Sequence, residues 1–166
     1  AEDLFSEAKG VPALSRPLQG LFAPASTFKS VSVLAAANAG YNLNATYNCP
    51  ATVEIGTRTF NNFESKAAGR LPLDLGLAIS CDSLWYQIAY DEWVRDGGLR
   101  PKSNANDYFF KAAKAFNITQ KVGIDLPSES SSRLADRDYK KSWYQQNKDF
   151  YCNYKERSTK AQQTPF

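Results

Sequence analysis

The sequence predicts a mixed helix and sheet (α+β) fold, mostly helical and built around one buried helix, and three observations lead there. Residues 28–39 carry apolar or small side chains on nearly every face and stop at Gly40, the pattern of a buried helix ended by a glycine. Farther on, Leu73, Leu77, Leu84, Trp85, Ile88, Ala89 and Trp93 recur at helical spacing. Between these segments, residues 47–63 alternate on either side of Gly56, as a short hairpin or irregular β segment does. A length of 166 residues, with 43% hydrophobic and 22% charged residues and a net charge of +3, fits one ordinary globular domain.

Each element follows in order. Residues 1–23 mix Gly, Pro and small polar residues around LQGLF and read as an irregular approach, closed by a turn at Ala23-Pro24-Ala25. The buried helix spans Phe28 to Ala39. After the hairpin, the stretch from Leu71 to Val94 reads as two helices meeting near Ser80 and closed by Gly97-Gly98. Asn106 to Phe116 forms one amphipathic helix, with Tyr108, Phe109, Ala112, Ala113 and Phe116 inward and its lysines outward. VGIDLP is a short apolar run ended by Pro127, and the polar, aromatic remainder to Phe166 reads as surface loop and short helix. No internal repeat or domain linker interrupts residues 1–166.

Composition removes several chemistries. With no His, neither a Ser-His-Asp triad, a Cys-His dyad nor a His-ligated metal site can be built. Cys49, Cys81 and Cys152 lie far apart, too few for a structural zinc site and enough for at most one disulfide. Twenty basic against 17 acidic residues, without a long run of one sign, give no footprint of a nucleic-acid binder. No apolar stretch reaches the roughly 18 residues a membrane span needs, and AEDLFSEAKG lacks the basic and apolar regions of a signal peptide. The absence of Met points to a processed product, an engineered chain or an internal piece of something longer, and a piece is the reading preferred.

Ser26-Thr27-Phe28-Lys29 places a hydroxyl and an amine on one helix face at i and i+3. A serine needs a base to become a nucleophile, and a lysine supplies one where burial and neighbouring charge favour its neutral form. A helix beginning at Ser26 would also aim first-turn N–H groups at a developing oxyanion. The spacing alone is common, since Ser6-Glu7-Ala8-Lys9 has it too; the turn before Ser26 and the buried helix after it set the second instance apart. Helix capping is the competing role for Ser26. Ser80-Cys81-Asp82 falls at the junction of two predicted helices, where a side chain can enter a cleft, and there too Ser80 or Asp82 could be a cap.

In this order the two features resemble the penicillin-binding proteins, the serine D,D-transpeptidases of bacterial cell-wall synthesis, whose signature set is S-x-x-K, S-x-N and K-T-G. LQGLFAPASTFKSVSVLAAANAG is similar to the family's P-G-S-T-F-K turn and helix, ISCDSLWYQIA to its S-C-N-x-F-F-x-x-L-A segment, and VGIDLPSES to its T-G-I-D-L-P-x-E run. The resemblance runs from about Pro17 to about Tyr139 and is nearest the class B branch, whose members carry an N-terminal membrane anchor and a non-catalytic domain.

The resemblance implies a β-lactamase/transpeptidase-like fold in which Ser26 is the acylated nucleophile, Lys29 its base, and Ser80 the hydroxyl that relays a proton to the leaving amine. Asp82 stands where the family has Asn. A carboxylate cannot donate a hydrogen bond, and an anion beside an amine favours its charged form. Ala25 in place of the family's Gly implies that no positive φ is needed there. No K-T-G occurs, so residues 1–166 are expected to be the first part of a transpeptidase domain with an incomplete central sheet, its K-T-G region carried on a second chain or on residues outside this sequence.

The implied activity is cross-linking of peptidoglycan stem peptides through an acyl-serine, with β-lactams acylating the same oxygen. The alternatives are a D,D-carboxypeptidase or β-lactamase-like hydrolase, and a non-catalytic wall-binding or scaffolding relative. The resemblance further implies no cofactor or metal, other cell-wall synthesis proteins as partners in cell shape or division, and the extracytoplasmic face of the cell membrane. That setting would let Cys49 or Cys152 pair with a cysteine beyond this chain, leaving Cys81 as a small buried residue. Trp85, Trp93 and Trp143 are expected in core and cleft walls, and Asp91-Glu92 and Asp136-Arg137-Asp138 on solvated faces.

Overall fold

The computed structural model describes residues 6–11 and 13–153; the readings of 1–5 as irregular approach and of 154–166 as surface loop lie outside them. The chain divides into two compact units, Ala1–Ser132 and Arg133–Phe166.

In the first unit the approach is less irregular than predicted: it holds a 3-10 turn at Glu7–Lys9 and a single-turn helix, α1 (Arg16–Gln19), with Pro17 where a helix start tolerates the missing N–H. A second 3-10 turn, Ala25–Phe28, runs directly into α2 (Lys29–Asn38). Helix α2 stops as predicted. Gly40 takes φ 87°, its N–H donates to Ala37 O at 3.1 Å and the Tyr41 N–H donates to Ala36 O at 3.0 Å, a crossed pair that satisfies the last carbonyls and requires a left-handed residue at 40. Burial is confined to one face, through Lys29, Val31, Ser32, Ala35 and Ala36, while Ser30 and Asn38 are exposed.

The predicted hairpin is β2 (Thr52–Ile55) against β3 (Arg58–Asn61), antiparallel with Thr52 opposite Asn61. A second antiparallel pair, β1 (Thr46–Cys49) with β4 (Gly69–Pro72), brackets it. The two helices expected around Ser80 are α3 (Leu73–Ala78) and α4 (Asp82–Arg95). They approach closely at Gly76, where a Cβ would stand 2.6 Å from Leu84 Cδ2. Helix α5 (Tyr108–Ala115) packs on α2 through its buried Ala112 and Ala113, with Lys111 and Lys114 exposed as predicted, but Phe116 lies past the helix end and is exposed instead of inward. The core joins Ala36, Cys49, Leu71, Leu73, Cys81, Leu84, Trp85 and Ile88, where α2, β1, β4, α3 and α4 converge.

Glu92 departs from the solvated reading. Glu92 is buried, 3% exposed, with Arg95 Nη1 2.9 Å from its Oε1. Asp96 is also buried and accepts the N–H groups of Asn106 and Asp107 at 2.8 and 2.7 Å, tying down the approach to α5. Trp85 is buried as expected, but Trp93 lies more than a third exposed. The VGIDLPSES run forms a closed loop: the N–H groups of Val122, Gly123 and Ile124 donate to the Glu129 carboxylate at 2.6, 3.2 and 3.3 Å. Ser130 N–H then reaches Leu18 O at 2.8 Å, fastening the loop to α1.

The second unit holds α6 (Arg137–Gln146), capped by Asp136, which accepts the Tyr139 N–H at 2.9 Å, and α7 (Lys148–Cys152). Trp143 Nε1 donates to Tyr151 Oη at 2.8 Å, and the Trp143 ring is exposed instead of lining a core or cleft.

Candidate active site

Three pieces of backbone build the site. The 3-10 turn presents Ser26 to solvent, the first residue of α2 carries Lys29, and the α3–α4 junction carries Ser80 and Asp82. Ser26 is not a cap: it lies inside the turn, the residue before α2 is Phe28, and neither end has a side-chain cap. Nor do Ser80 or Asp82 cap α4, since that position belongs to Cys81, whose Sγ accepts the Leu84 N–H at 3.4 Å. Ala25 has φ 48°, so the expectation that alanine marks a backbone without positive φ is overturned. A Cβ in that region costs about 1–2 kcal/mol, and glycine would avoid it.

Lys29 is 7% exposed, yet its Nζ is surrounded by oxygen. It stands 3.2 Å from Ser26 Oγ, 2.7 Å from Ser80 Oγ and 2.8 Å from Ser80 O, and it is ion-paired and hydrogen-bonded to Asp82 Oδ1. Ser80 Oγ and Ser26 Oγ are 3.0 Å apart, which closes a three-membered ring of polar atoms. An ammonium has three N–H bonds and no lone pair, so its four oxygen neighbours share three donors. A neutral amine has two N–H bonds and one lone pair, and that lone pair can take the Ser26 proton over the same 3.2 Å. The arrangement can therefore hold a proton on Lys29 or receive one from Ser26, with Ser80 bridging both.

The cleft beside Ser26 encloses about 370 Å³ and is walled by Phe28, Trp85, Tyr86 and Phe109, with Lys29 and Asp82 at its polar side. Burial raises the Tyr86 hydroxyl above its ordinary pKa, and the Asp82 carboxylate adds to the rise. Among the described residues no group of three or more Cys, Asp or Glu could hold a metal ion, and no helix is long and apolar enough to cross a membrane.

The four residues singled out in the sequence meet at one point. Two features escaped that reading. Cys49 pairs with Cys81, not with a cysteine beyond the chain, and Cys152 is a free, exposed thiol. Asn62 accepts the Asp82 N–H through its Oδ1 at 2.9 Å and donates from Nδ2 to Lys66 O at 2.6 Å. Its one sequence signal was the polar pair Asn61-Asn62 closing the hairpin, which any turn could carry.

Residues 3–150 match the family described as penicillin binding protein transpeptidase domain. The chain is 28% identical over 142 residues to the peptidoglycan D,D-transpeptidase MrdA of Escherichia coli K12, covering 81% of this chain and 20% of that protein. Against its counterpart in Salmonella typhimurium SL1344 the identity is 28% over 145 residues, or 82% of this chain and 21% of the other. The chain thus spans about a fifth of the length of the curated relatives it matches.

Two solved structures share its fold. A crystal structure of Pseudomonas aeruginosa PBP2 in complex with WCK 5153 superposes with a TM-score of 0.68 at 21% identity, over 87% of this chain and 30% of that one. A structure of a peptidoglycan synthase complex, described as coordinating polymerization and crosslinking, gives a TM-score of 0.64 at 23% identity, over 82% and 23%. These likenesses agree with the α+β class expected from the sequence.

Proposed function

The chain belongs to the penicillin-binding-protein transpeptidase domain family, and from that premise we propose that it carries the nucleophile of a peptidoglycan D,D-transpeptidase. Ser26 Oγ attacks the carbonyl carbon of the penultimate D-Ala of a stem peptide while its proton passes to the neutral Lys29 amine. The tetrahedral intermediate collapses with cleavage of the C–N bond to the terminal D-Ala, whose amine takes a proton delivered through Ser80. An acceptor amine then attacks the acyl-serine, gives its proton back through the same pair, and leaves the cross-linked peptide with Ser26 restored. Asp82 orients Lys29 and compensates the charge that Lys29 acquires on taking the Ser26 proton. A β-lactam ring presents the same kind of carbonyl and acylates the same oxygen.

The observation that supports this reading is the ring of Lys29, Ser80 and Ser26, with contacts of 2.7, 3.0 and 3.2 Å that join nucleophile, base and relay. The family's K-T-G donors are absent from residues 1–166 and are assigned to residues outside this chain. Other cell-wall synthesis proteins as partners, and the extracytoplasmic face of the membrane, follow as proposals from the same premise.

Intact-mass measurement after incubation with benzylpenicillin tests the reading. The expected result is one penicillin added to the parent and none to Ser26→Ala. A folded parent that takes up no penicillin overturns the claim that residues 1–166 react by themselves. Steady release of D-Ala in the absence of any acceptor amine would instead mark a hydrolase.

A further inference from the structure

Of Ser26, Lys29, Ser80 and Asp82, Ser80 alone has a costly backbone conformation. Its φ of 57° lies in the left-handed region, at about 1–2 kcal/mol for a residue with a Cβ. This conformation brings both the carbonyl and the hydroxyl of Ser80 onto Lys29 Nζ, at 2.8 and 2.7 Å. Such a backbone persists only where its surroundings over-determine it. On its N-terminal side, α3 does so: Ser80 N–H donates to Leu77 O at 3.0 Å and Cys81 N–H to Gly76 O at 2.9 Å. On its C-terminal side two ties come from the strands, the Cys49–Cys81 disulfide from β1 and the Asn62 amide from the end of β3.

Asn62 is itself held. Its own N–H donates to Ala51 O at 2.8 Å, and its Nδ2 donates to Lys66 O at 2.6 Å and to Cys49 Sγ at 3.5 Å. Those partners fix the amide's orientation, because the carbonyl of Lys66 demands a donor and the N–H of Asp82 an acceptor. One side chain thus connects the hairpin, the loop after it, the disulfide and the backbone of Asp82.

We propose that Asn62 is a positioning residue for the Lys29–Ser80–Asp82 network, holding the Ser80–Asp82 turn through the Asp82 N–H in concert with the Cys49–Cys81 disulfide. The proposal rests on the reading of Ser26 as the nucleophile for its effect on rate, and on geometry alone for its effect on Asp82. Removing the amide frees the first N–H of α4 and lets the carboxylate that faces Lys29 drift. Misplacement of a reacting group by about 1 Å costs on the order of 100-fold in rate.

The test compares the full chain with Asn62→Ala and Asn62→Asp, the second of which keeps an oxygen acceptor for the Asp82 N–H. Two quantities are read: the hydrogen-exchange rate of the Asp82 amide by NMR, and the second-order rate of acylation by a fluorescent penicillin. Asn62→Ala is expected to speed Asp82 exchange and slow acylation by roughly 10- to 100-fold, and Asn62→Asp, which keeps the acceptor for the Asp82 N–H but loses the donor to Lys66 O, to fall between Asn62→Ala and the parent. If Asn62→Ala does not fold, Asn62→Gln, which moves the amide by one methylene, carries the same expectation. Unchanged Asp82 exchange overturns the proposal, as does faster exchange with acylation within twofold of the parent, or equal behaviour of the Ala and Asp variants. A parent that is never acylated overturns reaction by residues 1–166 alone and not the clamp, which the exchange rates then decide.

Discussion

Lys29 is where the chemistry narrows to one atom, because four oxygens compete for three N–H bonds. Asp82 supplies the only formal negative charge among them, with Lys29 8% and Asp82 27% exposed in their side chains. Removing one partner of such a pair leaves a buried charge uncompensated, at a cost of about 3–5 kcal/mol when burial is complete and less here, where Asp82 is partly solvated. Asp82→Ala is therefore expected to lose at least tenfold in penicillin acylation rate and some stability. Asp82→Asn keeps an oxygen for Lys29, adds two N–H donors, and restores the side chain that the S-x-N motif carries at this place; its acylation rate should stay within about tenfold of the parent. Stopped-flow acylation of the two variants checks this, and equal losses in both would show that Asp82 acts by its negative charge, since Asn keeps both its size and an oxygen. Ser26, Lys29, Ser80 and Asp82 were legible as candidates because the order and spacing of their motifs resemble the family's. Asn62 was not, because a polar residue at a hairpin end carries no pattern until its partner 20 residues on is known.

At the scale of elements, the same contrast separates helices from strands. Helices α3 to α5 were legible from local periodicity, whereas α2 was legible from its apolar run and Gly40 and buries one face where burial on nearly every face was expected. The β1–β4 pair was not: TYNC and GRLP are four residues each, and what makes them strands is their mutual register, Thr46 to Pro72 and Cys49 to Gly69, across an intervening hairpin. The disulfide was equally non-local. Three cysteines allow three pairings, and only the convergence of β1 with the α3–α4 junction selects Cys49 with Cys81, 32 residues apart. Closing a loop of that length restricts the unfolded chain by about 3–4 kcal/mol. The double variant Cys49→Ala, Cys81→Ala should lose a comparable amount in urea unfolding, with the largest increase in exchange at β1 and the Ser80–Asp82 turn. A loss below about 1 kcal/mol would mean that the core and the strand pairing already hold that junction without the covalent tie.

For the molecule as a whole, one part of the pH dependence of stability arises away from the site, where the end of α2 meets the last turns of α4. Glu92 is buried there beside Arg95, and Arg95 Nη1 donates to Ala39 O at 3.2 Å while its guanidinium lies 6.0 Å from the Tyr41 ring centre. Desolvation raises the Glu92 carboxyl above its ordinary value of 4.5, against a lowering by Arg95 and with further rises from Asp96 and Asp91. Desolvation likewise pushes the Tyr41 phenol from 10.0 up to about 12, helped by Asp91 and Glu92. Both groups are easier to ionise in the unfolded chain, so each favours folding only while it is neutral. The Glu92 contribution is complete below pH 4.5 and is lost as the pH climbs through the raised folded value. That of Tyr41 is complete below pH 10 and is lost between 10 and about 12. Glu92→Gln removes the acid-side slope without removing the packing, and the Arg95 it leaves behind is half-exposed and hydrated. The variant should therefore gain on the parent as the pH rises from about 4 to 7, with the alkaline loss attributable to Tyr41 remaining in place. Urea midpoints across that range decide it: a difference between variant and parent that does not grow with pH would show that Arg95 fully offsets the burial of the carboxylate.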